Sequence, residues 1–151
     1  MGELDQCTGH SEAVRIWTEE LTDAIEHRKE VGGNIHVIAA SRCAEEAYHG
    51  LLRQDTAFLA TRVKVTTVGG ARIIHPDGFD NATNLINNRD WVPCIANPIN
   101  YGRAYMNPEE WGVKFLDSPH GPFSFDRSAL GETYKTELQK TFRTYHYKNA
   151  S

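Results

Sequence analysis

A chain of 151 residues, 40% of them apolar and 24% charged, has the length of one domain and the composition of an ordinary globular chain able to build a core. A net charge of −4 gives no footing for nucleic acid or for an anionic membrane surface. Cys7, Cys43 and Cys94 are odd in number and widely spaced, which argues against a disulfide framework or a zinc site, and the seven histidines lack ligand spacing, so no metal and no other cofactor is expected. No apolar run approaches spanning length, and the acidic start Met1-Gly2-Glu3-Leu4-Asp5 carries no secretory signal. A transmembrane segment is therefore not expected, and the cytoplasm is the expected location.

Taken in chain order, residues 1–10 read as an irregular lead-in. Ser11 is a candidate helix cap, after which Val14, Trp17, Leu21, Ala24 and Ile25 line one face of a helix ended by Gly32-Gly33. Ile35, Val37 and Ile38 form a short apolar run suited to a buried strand. Ala39-Ala40-Ser41-Arg42-Cys43 follows without a loop, and Ala44, Ala47, Tyr48, Leu51 and Leu52 then recur at helical spacing. Residues 56–62 read as a connector. Val63, Val65, Thr66, Thr67 and Val68 predict a second strand, ended by Gly69-Gly70-Ala71 and paired in parallel with the first through a crossover. A turn-rich loop over 72–80 leads to a short strand over 81–88 and then to Arg89-Asp90-Trp91-Val92-Pro93.

Residues 94–111 are expected to be irregular, because Pro93, Pro98 and Pro108 forbid a continuous helix. Ile95, Ile99, Tyr101, Tyr105, Met106 and Trp111 are too apolar for a solvated loop, so they either pack on the core or line a pocket for an acyl or aromatic group. Val113, Phe115 and Leu116 predict another strand, closed by Asp117-Ser118-Pro119-His120-Gly121-Pro122. Tyr134, Leu138, Phe142 and Tyr145 predict an amphipathic terminal helix over the sheet. The alternation of helices and strands predicts an α/β fold, a three-layer sandwich with a short, mostly parallel sheet of about four strands.

The turn at 39–43 resembles the nucleophile elbow of α/β-hydrolases of the lipase and esterase branch, written G-x-S-x-G. Both glycines are replaced here, but the small-x-nucleophile-x-small pattern is kept around Ser41. In lipase-like hydrolases an Asp followed by Val-Pro after a short strand is the triad acid, and that place is similar to Asp90-Trp91-Val92-Pro93. His120 completes the chain order Ser, Asp, His. Many such chains carry the histidine just before a Ser-containing helix start, where this chain has Arg127, a residue that stays protonated and cannot act as a base. The resemblance spans roughly residues 11–145 and matches only the carboxyl half of the fold. It implies a partial α/β-hydrolase domain with an open sheet edge beside the nucleophile strand, inviting a partner chain or a homodimer.

What the resemblance implies is acyl transfer on a small-molecule ester or thioester. Ser41 attacks the carbonyl, His120 moves the proton, Asp90 orients His120, and the Arg42 N–H supplies one oxyanion donor. No residues for the family's second donor loop are evident. The alternative is a catalytically silent hydrolase-fold module that binds a ligand or a protein. Residue by residue, blander readings stand beside these: Ser41 as a helix cap, Asp90 paired with Arg89 or capping a turn, Cys43 as a small packed residue rather than a second nucleophile. Gly69-Gly70 competes as a phosphate-binding turn but lacks the G-x-G-x-x-G spacing.

Overall fold

β-Branched runs bounded by glycine make the first two strands, β1 (Ile35–Ala40) and β2 (Val63–Val68), and two further segments make β3 (Asn81–Asn87) and β4 (Val113–Leu116). The structure is a computed structural model; it describes the backbone over 2–117 and 127–150 and side chains over 11–117 and 131–143. The strands lie side by side in chain order, β1-β2-β3-β4, and every pairing is parallel. All four carboxyl ends therefore point to one edge, where an α/β sheet carries its site.

Helices flank both faces, giving the three layers expected. Val37, Ala39, Val65, Ala82 and Ile86 share one face by register. Over β1 and β2 that face packs against Leu21 and Ile25 of α1 (Gly2–Val31), Ala44, Ala47 and Leu51 of α2 (Cys43–Leu51), and Phe58 and Leu59 of α3 (Thr56–Arg62). Over β3 and β4 a second cluster gathers Ile73, Ile86 and Val113 around Ala104. Ala104 belongs to α5 (Pro98–Met106), which follows the short α4 (Val92–Ala96). The opposite face carries Leu85, Asn87 and Leu116 and is met by α6 (Arg127–Ala150), through Tyr134 on β3 and the Lys114–Glu137 ion pair on β4.

Three expectations are corrected. Residues 2–10 are not an irregular lead-in but the first turns of α1, so Ser11 is interior to the helix rather than its cap. That stretch has no proline to stop a helix and no apolar stripe to advertise one. Residues 56–62 form α3 rather than a connector, because Asp55 caps it: its Oδ1 accepts from the Ala57 N–H at 3.0 Å and the Phe58 N–H at 3.3 Å. The segment 94–111 is mostly helical. Pro93 and Pro98 sit in first turns, where a missing N–H costs nothing, and Asn97 ends α4 and caps α5. Tyr101 and Trp111 pack on the core, whereas Ile95, Ile99, Tyr105 and Met106 are 71%, 70%, 64% and 83% exposed.

One buried polar residue ties the connections together. Asn84, 1% exposed on β3, accepts from the Thr67 hydroxyl and the Ile74 N–H and donates to the carbonyls of Ile74 and Trp111. Both of its amide protons and its oxygen are satisfied, which is what allows it to lie in the core.

Candidate active site

Only Ser41 and Arg42 separate β1 from α2. Among the described residues Ser41 is the sole non-glycine with positive φ, at 51°. Such a conformation is disfavoured for a residue with a Cβ and persists where its surroundings impose it. Here β2 does so: the Ser41 N–H donates to the Val68 carbonyl at 3.0 Å, and the Ser41 carbonyl accepts from the Ala71 N–H at 2.9 Å. The bend leaves Ser41 exposed, with its hydroxyl in no hydrogen bond among the described residues. The capping role is overturned, since Arg42 is the N-cap of α2 and no side chain caps that helix.

The flanking small residues are placed differently from expectation. Ala39 is 2% exposed, but Cys43 is exposed rather than packed. The buried small residue after the apex is Ala44, 0% exposed, whose Cβ would stand 2.9 Å from a Cβ on Gly70. The Arg42 N–H, the residue expected to serve an oxyanion, donates to nothing among the described residues, while its guanidinium pairs with Glu46 at 3.1 Å. As the amino end of α2, this backbone favours negative charge.

Asp90 stands three residues beyond β3, at the same edge of the sheet as Ser41 and with β2 between them. At ~4.8 Å per strand the two strand ends lie about 10 Å apart. The Asp90 carboxylate already has two partners. Oδ1 accepts from the Val92 N–H at 3.0 Å, and Oδ2 accepts from the Tyr134 hydroxyl at 2.6 Å. The turn-capping reading of Asp90 is thus realised, and the pairing with Arg89 is not observed. The Tyr134 oxygen in turn accepts from the Asn87 N–H at 2.8 Å. Burial first, and the hydrogen bond to Asp90 second, raise the Tyr134 phenol well above the usual tyrosine range.

Gly69 makes this closeness possible. It turns out of β2 at φ 54°, and a Cβ there would lie 2.3 Å from Asp90 Oδ2 and 3.1 Å from the Tyr134 oxygen. The glycine pair thus serves a close approach of strand ends. Two buried donors at this end, Asn87 Nδ2 and a terminal nitrogen of Arg89, have no hydrogen-bond partner among the described residues.

His120 lies outside the described residues, as does the side chain of Arg127, whose backbone begins α6. β4 ends at Leu116, and the Asp117 carboxylate accepts from Asn88 Nδ2 beside the end of β3. Tyr134 and Asn87 are members of this constellation that the sequence did not disclose. Tyr134 showed only as part of a helical stripe, and nothing in a spacing of 44 residues pairs it with Asp90.

Among the described residues no group of three or more His, Cys, Asp or Glu could hold a metal ion, and no helix is long and apolar enough to cross a membrane. A cavity of about 390 Å³ lies elsewhere, under the 72–79 loop on the α2 and α3 side, and neither Ser41 nor Asp90 lines it. No protein-family model matches this chain, and neither does a curated protein or a solved structure.

Proposed function

We propose that the chain is a serine hydrolase similar to lipases and esterases, cleaving an ester or thioester with Ser41 as nucleophile, His120 as proton carrier and Asp90 as its orienting acid. The observation that carries this reading is the positive φ of Ser41 at a strand–helix turn, with an exposed hydroxyl in no hydrogen bond among the described residues. A helix cap or a packing residue needs no such backbone. The unengaged Arg42 N–H supports an oxyanion position, and Asp90 at the same sheet edge supports a triad. Trp91, Val92 and Ile95 form an exposed apolar shoulder next to Asp90, suited to the acyl part of a substrate.

The second reading is a silent hydrolase-fold module that binds a ligand or protein. One observation favours it: Asp90 Oδ2, where a catalytic imidazole would attach, holds the Tyr134 hydroxyl at 2.6 Å. The free side of β1 is the proposed place for a partner strand, first of all from a second copy of this chain. β1 pairs only with β2 among the described strands, and Ile38 on it is 38% exposed.

Labelling with a fluorophosphonate probe decides between the two. The hydrolase reading expects covalent labelling of the wild type that vanishes in Ser41→Ala and in His120→Ala. A folded wild type that takes no label rejects it. Labelling that survives His120→Ala removes that histidine from the mechanism.

A further inference from the structure

We propose that the cavity between α2, α3, α5 and the 72–79 loop is a binding site for an uncharged planar aromatic molecule carrying a hydrogen-bond acceptor. This goes beyond the hydrolase reading and does not depend on it, because the cavity wall includes neither Ser41 nor Asp90. Its volume of about 390 Å³ is far larger than the voids that imperfect packing leaves and falls within the range of small-molecule sites.

The chemistry of the walls specifies the ligand. Tyr48, Phe79 and Trp111 line the cavity, and the first and last of these rings are each already fixed by a neighbour. The Arg72 guanidinium lies 4.2 Å over the Tyr48 ring, and the His75 ring meets Trp111 edge-on at 4.9 Å. The walls are therefore preformed, which lowers the ordering cost of binding. Arg72 is the one cation in the lining among the described residues, and Glu45 neutralises it through two contacts, at 2.5 and 3.0 Å. An anionic ligand would have to compete with that carboxylate, so negative charge is selected against.

Polar direction comes from His75. Its Nδ1 accepts from the Asp77 N–H at 3.1 Å, which in the neutral ring puts the proton on Nε2. That Nε2–H has no partner among the described residues, nor does the side-chain amide of Asn100 across the cavity. A flat ring between aromatic walls, presenting an acceptor to His75 and a polar edge to Asn100, satisfies both.

The probes are benzimidazole, neutral at pH 7.5, and benzoate, its charged counterpart, titrated into the full chain by ligand-observed saturation-transfer NMR. Saturable binding of benzimidazole with Kd at or below about 1 mM is expected, with benzoate at least about tenfold weaker. Leu52→Trp, at an exposed position on the cavity rim, should weaken benzimidazole by about tenfold or more. His75→Ala should weaken it by about fivefold, with His75→Gln, which keeps a donor, restoring part of the loss. Absence of saturable binding to folded wild type overturns the proposal, as does binding indifferent to Leu52→Trp. Equal affinity for benzoate overturns the uncharged ligand class. Folding of each variant is checked by circular dichroism, and Ser41→Ala should bind benzimidazole as the wild type does.

Discussion

Ser41 is held in left-handed backbone by two hydrogen bonds to the end of β2, at a cost of order 1 kcal/mol for a residue with a Cβ. Removing that Cβ relieves the cost. Ser41→Gly is expected to raise stability in urea by roughly 0.5–1 kcal/mol while abolishing any fluorophosphonate labelling. A loss of stability would mean that the hydroxyl, rather than the backbone, was holding the turn. Tyr134 presents the opposite case. Its hydroxyl serves both Asp90 and the N–H of the fully buried Asn87, so Tyr134→Phe leaves a buried donor unmet. Urea denaturation should show a loss of about 1–3 kcal/mol. The candidate site was legible where it is local: the slim residue before Ser41, the glycines after β2 and the Asp-Trp-Val-Pro segment all stand in the sequence. The Tyr134–Asp90 bond was not, because it joins two surfaces through tertiary packing alone. Cys43 does not fill the inward place that its small size suggested, since the inward-facing small residue of the turn is its neighbour Ala44.

Elements were legible in proportion to their apolar periodicity. The four strands and the paired core faces of α1 and α2 carry it, and they appear where expected. α3 has seven residues, too few for a period to register, and depends on its Asp55 cap and on the burial of Phe58 and Leu59. α4 and α5 are hidden in the sequence because proline inside a helix breaks it, whereas in a first turn it starts one. The link between α2 and the 72–79 loop is electrostatic and so titrates. Chiefly through its hydrogen bond with Arg72, and further through His49, Glu45 is held below its ordinary value of 4.5. A folded-state value lower than the unfolded one means that the contribution is fully present above pH 4.5 and is lost as pH falls through the lower, folded-state value. Glu45→Gln should therefore have a lower melting temperature than the wild type at neutral pH, with the gap closing below about pH 4. A gap that persists undiminished in acid would show that Glu45 acts through packing instead.

At the scale of the whole molecule the sheet is asymmetric. One side of β1 is paired along its length and the other meets no described strand. Ile38 adds exposed apolar surface beside Leu138 and Phe142 of α6, in a shallow groove. Edges of this kind recruit another strand unless charge prevents it. Sedimentation velocity should find self-association of the wild type, weakened about tenfold or more in Ile38→Lys because a buried ammonium opposes the contact. A wild type that stays monomeric across the concentration range would remove the second copy as the occupant. The parallel architecture itself was legible, since successive strands joined by long connections pair that way by default.

Because every strand lies next to the one made before it, the sheet can be extended step by step as synthesis proceeds, without waiting for a distant partner. The helix that covers Leu85, Asn87 and Leu116 is translated after all four strands. Until α6 emerges from the ribosome, the nascent sheet presents that layer bare, an invitation to chaperones or to aggregation. The same timing makes Tyr134 the last piece to arrive at Asp90, after all four strands have been made.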